Sequence, residues 1–172
     1  ALSGSLERGL GARANENASL PKRPRVFFEE WHEPLISGIR WCSELVERLG
    51  GEDICVECRT EQGAKGRIYE PAEIARRNPE VVIASWCGRK ATREKIISRP
   101  GWASVRAVVD DQLYEVKSPF ILQPGPAALT DGAAQLARIV RAVATGERLA
   151  APRPGDLRSA NLAPTFPTVG AA

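Results

Sequence analysis

The stretch "EVVIASW", residues 80–86, carries apolar or small side chains at every position from Val81 to Ser85. A strand with one wet face alternates, so this unbroken run predicts a strand covered on both faces, as in a parallel sheet. Helix signals flank it. Upstream, "EPAEIARRN" has proline in its first turn and stops at Asn78-Pro79. Downstream, "TREKIISR" reads as a short helix closed by "PGW". Further out, "RVFFE" (25–29) is a short aromatic and β-branched strand. Ile39, Cys42, Val46 and Leu49 fall at helical spacing before Gly50-Gly51 stops them. "DICVE" reads as a brief strand, and "DDQLYEV" as a turn and then a strand. Pro126 opens a helix in which Leu129, Ala133, Leu136, Val140 and Val143 recur at steps of four, three, four and three. Strands alternating with helices predict an α/β fold, a three-layer sandwich with a mostly parallel sheet.

The flanks are less patterned. Residues 1–24 have little periodicity, several glycines and two late prolines, and read as the frayed end of an upstream element followed by a linker. Residues 151–172, rich in proline and alanine, show no packing pattern and read as a disordered tail. The chain opens on Ala1, without a methionine or an export signal, so residue 1 reads as a processing site or a cut edge. Its 172 residues suffice for one domain with a real core. A net charge of +3, from 24 basic and 21 acidic residues, gives no electrostatic footprint for nucleic acid. No apolar run is long enough for a membrane helix.

Parallel sheets bind ligands outside the carboxyl ends of their strands. Three such ends are legible: Trp31-His32-Glu33-Pro34, Trp86-Cys87-Gly88 and Ser118-Pro119-Phe120. A lone tryptophan at a strand exit is usually packing. Aromatic rings at all three exits favour an apolar, ring-shaped or planar ligand. No G-x-S-x-G, G-x-G-x-x-G or G-x-x-x-x-G-K-[ST] is present, so neither a nucleophile elbow nor a nucleotide loop has support. Glu29, Glu30, His32 and Glu33 could ligate a metal by type, but neighbours on a strand point to opposite faces. The pair in "CVEC", Cys55 and Cys58, has redox spacing in an extended context; with Cys42 and Cys87 it reads as apolar thiols rather than a zinc set.

The runs "EEWHEPLISG", "NPEVVIASWCG" and "ILQPGPAALTDG" resemble the C-terminal lobe of helical-backbone periplasmic binding proteins. The nearest branch is the cobalamin (vitamin B12) branch of ABC-transporter substrate-binding proteins, and the likeness covers residues 20–145. In that family two α/β lobes joined by a long helix close on a ligand. The resemblance therefore implies a single lobe of a two-lobed binding protein. Residues 1–20 become the remnant of the inter-lobe helix and linker, residues 21–150 the C-terminal ligand-binding lobe, and residues 151–172 the tail.

The resemblance implies no enzymatic activity and no cofactor of its own. It implies instead a corrinoid or similar large planar chelate as ligand, an ABC permease and an N-terminal lobe as partners, and a periplasmic setting. Four cysteines would equally suit a reducing compartment. It sets the loop from Trp31 to Ser37, with His32, Glu33 and Leu35, against the ligand, and Phe120 to Gln123 opposite; Trp86 joins them from the strand-end reasoning. Glu70 or Glu73 would dock on the transporter, although an acid in a first helical turn also complements the helix dipole. An iron–siderophore or haem carrier of the same fold is the first alternative. A cytoplasmic metal- or redox-responsive protein using Cys55, Cys58, Cys87 and His32 is the second.

Overall fold

In the computed structural model, which describes residues 2–160, helix α1 (Leu2–Asn17) leads into strand β1 (Arg25–His32), the longest of six. A turn at Glu33-Pro34, joined by a cis peptide bond, reverses the chain into β2 (Leu35–Ser37). Then follow α2 (Arg40–Arg48), β3 (Glu52–Asp53), β4 (Ile68–Tyr69), α3 (Pro71–Arg77), β5 (Val81–Ala84), α4 (Arg93–Ile97), α5 (Arg106–Val109), β6 (Leu113–Glu115), α6 (Ser118–Ile121) and α7 (Ala133–Thr145). The sheet order is β4-β2-β1-β5-β6, with β3 alongside the start of β1. β1 runs parallel to β3 and β5, and β5 to β6; only β2 runs against the others, antiparallel to both β1 and β4.

The run at 81–84 explains the layering. Val81 and Ile83 enter one core with Val26, Phe28, Leu45, Val46, Leu136 and Ile139, beneath α1, α2 and α7. Val82 and Ala84 enter the other with Phe27, Ile74, Ile96, Trp102 and Ala107, beneath α3, α4 and α5. Both faces are covered, as a non-alternating strand requires.

Two expectations need correction. "DICVE" is strand only as far as Asp53, and a 3₁₀ helix spans Val56–Thr60. The Asp53 carboxylate accepts the Cys55 backbone N–H at 2.9 Å; this Asx turn ends the extended path. The tail is not patternless throughout. Leu157 and Ala160 are buried, and Arg158 bridges to Tyr114 at the edge of the sheet. Disorder therefore does not describe residues 151–160, while residues 161–172 lie outside those described. The N-terminal segment, which has no periodic pattern, is helical: Leu10 joins the first core, and the buried Asn17 amide donates to the carbonyls of Leu49 (2.8 Å) and Ala137 (3.0 Å). The helix opened by Pro126 forms as expected, with a π turn at Ala128–Gly132 leading into α7.

Candidate functional site

The carboxyl ends of β1, β5 and β6 share one edge, because the strands are parallel and level (Phe28 beside Ile83, Ile83 beside Tyr114). At the end of β1 the pairing with β2 slips by one residue between Glu29 and Trp31, a bulge that re-aims the side chains beyond it. Trp31 and His32 lie ring against ring, with centroids 5.0 Å apart. His32 stacks on Trp86, which follows β5, at 4.2 Å and 25° between planes. Trp86 is the floor of this stack. It is 2% exposed, and its indole N–H donates to the Glu29 carboxylate at 3.0 Å.

Beneath the rings sits a buried ion pair. Glu29 has no exposed surface and receives two bonds from the Arg99 guanidinium, at 2.9 and 2.5 Å. Burial pushes its carboxyl above the ordinary range, with Arg99 and then Trp86 opposing the push. Glu30 serves the other side of the strand: it accepts from the buried Arg67 at 2.7 Å and from the Ile39 backbone N–H at 3.1 Å. Two of the three acids in "EEWHE" are thus committed within the lobe, on opposite faces.

His32 is held below its ordinary value, first by burial and then by Lys95, Arg99 and Arg89, against the pull of Glu33. Lys95 Nζ lies 3.2 Å from Nε2. An ammonium can only donate, so Nε2 accepts and the ring proton sits on Nδ1, an atom buried without a partner. The lone pair that could meet a metal is occupied by Lys95. Among the described residues no group of three or more His, Cys, Asp or Glu side chains is placed to hold a metal ion.

The remaining predicted residues are dispersed. Glu33 is exposed beside the stack, and Leu35 is buried in the second core. Phe120, half-buried, packs against the first core and borders an open cleft with Glu115, Lys117 and Gln135. Gln123 lies in a different groove with Leu10, Trp41, Leu45 and Leu129. The structure therefore joins Trp31, His32 and Trp86 and leaves Phe120 and Gln123 on the other face of the sheet. Glu70 is exposed just before α3 with no ion pair among the described residues, whereas the Glu73 carboxylate is taken by Arg76 and by Arg77 (2.8 Å).

Sequence reading missed the cations of this edge. Arg89 lies over the Trp31 ring (5.9 Å), Lys95 over Trp86 (5.9 Å), and Arg99 over Trp102 (4.5 Å). The signal that could have exposed Arg89 was its position three residues after Trp86, on the exit of the most buried strand.

Residues 8–120 match the family model described as "Periplasmic binding protein". No curated protein sequence matches the chain. Among solved structures, a periplasmic binding protein from Veillonella parvula is similar over 81% of this chain and 49% of its own, at 18% identity and TM-score 0.63. The periplasmic vitamin B12 binding protein BtuF of Vibrio cholerae is similar over 80% of this chain and 51% of its own, at 20% identity and TM-score 0.61. The periplasmic heme-binding protein RhuT from Roseiflexus sp. RS-1 is similar over 83% and 55%, at 16% identity and TM-score 0.63. At these identities the likeness is one of fold, and this chain spans about half the length of the structures it matches.

Proposed function

Given that the chain belongs to the periplasmic binding protein family, we propose that it is the C-terminal lobe of a substrate-binding protein feeding an ABC importer, with a large planar chelate as ligand. A corrinoid is the first choice, and haem or an iron–siderophore the alternative. One observation carries this reading: the Trp31-His32-Trp86 stack at the carboxyl edge of the sheet, where parallel sheets take ligands. Flat rings at low conformational cost suit a flat partner. A second lobe would close the pocket from the opposite side, in the periplasm. Glu70, exposed and uncommitted, is the acid offered for docking on the permease; Glu73, already spent on two arginines, is the weaker candidate.

The thiols give the redox alternative less support. Cys58 bonds to the Tyr69 hydroxyl at 2.9 Å, Cys55 is buried in the second core while Cys87 is exposed, and His32 stacks with the tryptophans. Titration of cyanocobalamin, haem and a ferric siderophore into the chain and into Trp31→Ala tests the proposal. Trp31→Ala should weaken the best ligand by about 1.5–3 kcal/mol, the value of one large buried side chain. Equal affinities would remove the ring stack from the site.

A further inference from the structure

Three cations without a carboxylate partner among the described residues border the ring stack and the cleft beside it. Arg89, Lys95 and Lys117 come from three separate segments, after β5, in α4 and after β6. None of them pairs with a carboxylate among the described residues. Arg89 and Lys95 rest on the faces of Trp31 and Trp86. Arg89 and Lys117 also line an open cleft of about 390 Å³ between the β5 and β6 exits, with Gly88, Lys90, Ser118 and Arg153. The nearby acids are largely spoken for. Asp156 is held by Lys90 and by Arg153 (3.2 Å), and Glu115 accepts the Ala91 backbone N–H at 2.9 Å. Glu33, exposed beside His32, and Glu115 in the cleft are the nearby acids that carry no ion pair among the described residues.

A neutral ring laid on Trp31 and His32 would cover Arg89 and Lys95 and strip water from two charges with nothing to replace it, which is costly. A ring bearing carboxylates at its periphery offers each cation a charge-assisted bond as it is covered. The cations come from three separate segments, two of them on the rings and one in the adjoining cleft. That spacing suits several dispersed carboxylates better than a single phosphate.

We infer that the ligand of this lobe is a polycarboxylate chelate, whose peripheral carboxylates are bound by Arg89 and Lys95 on the aromatic stack and by Lys117 in the adjoining cleft. This rests on the planar-chelate reading above and names the charge class within it.

The test is titration of the 172-residue chain with two pairs of probes: haem against its dimethyl ester, and cobyrinic acid against its heptamethyl ester. Each pair keeps the ring and removes the negative charge. The acid form of at least one pair should bind about tenfold or more tightly than its ester, and the preference should shrink as salt is raised. The triple variant Arg89→Gln, Lys95→Gln, Lys117→Gln should abolish that preference while still binding the ester. All three side chains are at the surface, and unchanged circular dichroism checks that the fold persists. If acid and ester bind alike, or the triple variant keeps the preference, the inference falls and the chelate reading stands. If no ring of either pair binds and the ferric siderophore also fails, both fall together.

Discussion

Replacing Arg99 by alanine removes the one cation that, among the described residues, pairs with the Glu29 carboxylate within the second core. The pair is nearly dry: 8% of the Arg99 side chain and none of Glu29 is exposed. Removing one partner of a buried pair costs about 3–5 kcal/mol, because the other charge is left without water or counter-ion. Glu29 has a way out, since it can bind a proton. From its ordinary value of 4.5, taking up a proton at pH 7 costs about 3.5 kcal/mol, at about 1.4 kcal/mol per pH unit, which caps the electrostatic part of the loss. The sign follows. Glu29 is already raised by burial in the native protein, and the variant raises it further. Between pH 4.5 and the raised value, the folded variant holds a proton that the unfolded chain lacks. Its stability therefore falls as pH rises across that window and is regained towards pH 4.5. A remainder of about 1 kcal/mol should persist at every pH, from the lost stacking of the guanidinium on Trp102. Urea denaturation of the native chain and of Arg99→Ala at pH 7 and pH 4.5 measures this directly, and Glu29→Gln/Arg99→Ala should recover most of the pH 7 loss. A loss that is the same at both pH values, or smaller than about 1 kcal/mol at pH 7, would refute the reasoning.

Asn17→Ala leaves the carbonyls of Leu49 and Ala137 without this donor and removes one of Arg141's two acceptors, Glu16 remaining. It should cost about 2–3 kcal/mol in chemical denaturation, and a near-neutral result would mean that α1 contributes little to the lobe. Gly132→Ala drives a Cβ into the Phe120 backbone carbonyl. It should destabilise by about 1–3 kcal/mol, seen as a lower Tm; a raised Tm from better helix propensity would show that the α6 turn yields. With an aromatic disulfide reagent, Cys87, which is exposed, should react first and alone. Cys42 and Cys55 are shielded by burial, with the Cys55 thiol pushed up to about 12 and Cys42 higher still. Two or more fast thiols would contradict this packing.

The layer order was legible because one strand could not be explained any other way. Five non-alternating residues need cover on both sides, and Pro71, Asn78 and Pro126 fixed helix limits by backbone chemistry that no tertiary contact overrides. Asn78 takes the left-handed conformation, φ 49°, where α3 ends, and its side chain accepts the Arg106 backbone N–H at 2.8 Å. The short elements escaped because their signals are tertiary. β2 and β4 have three and two residues and exist because β1 overshoots its parallel partners and offers an edge. α1 lacks an apolar stripe and is held by Leu10 in the first core and by the Asn17 amide, which reaches the end of α2 and the middle of α7.

The site divides along the same line. Ring residues could be assigned to strand exits from topology alone, and Trp31, His32 and Trp86 do meet there. What spacing could not reveal is that acids next to each other in sequence answer to arginines on opposite faces: Glu29 to Arg99, seventy residues on, and Glu30 to Arg67, thirty-seven on. Those two pairings change what "EEWHE" means. Read as a string it is an acidic cluster that invites a cation. In the folded lobe two of its three charges are neutralised internally, and the rings are left with Arg89 and Lys95 against them and Glu33 beside them. The same fold that gathers the aromatic rings also sets two cations against them, so the proposal of a flat ligand can be argued from the sequence, and that of an anionic one only from the fold.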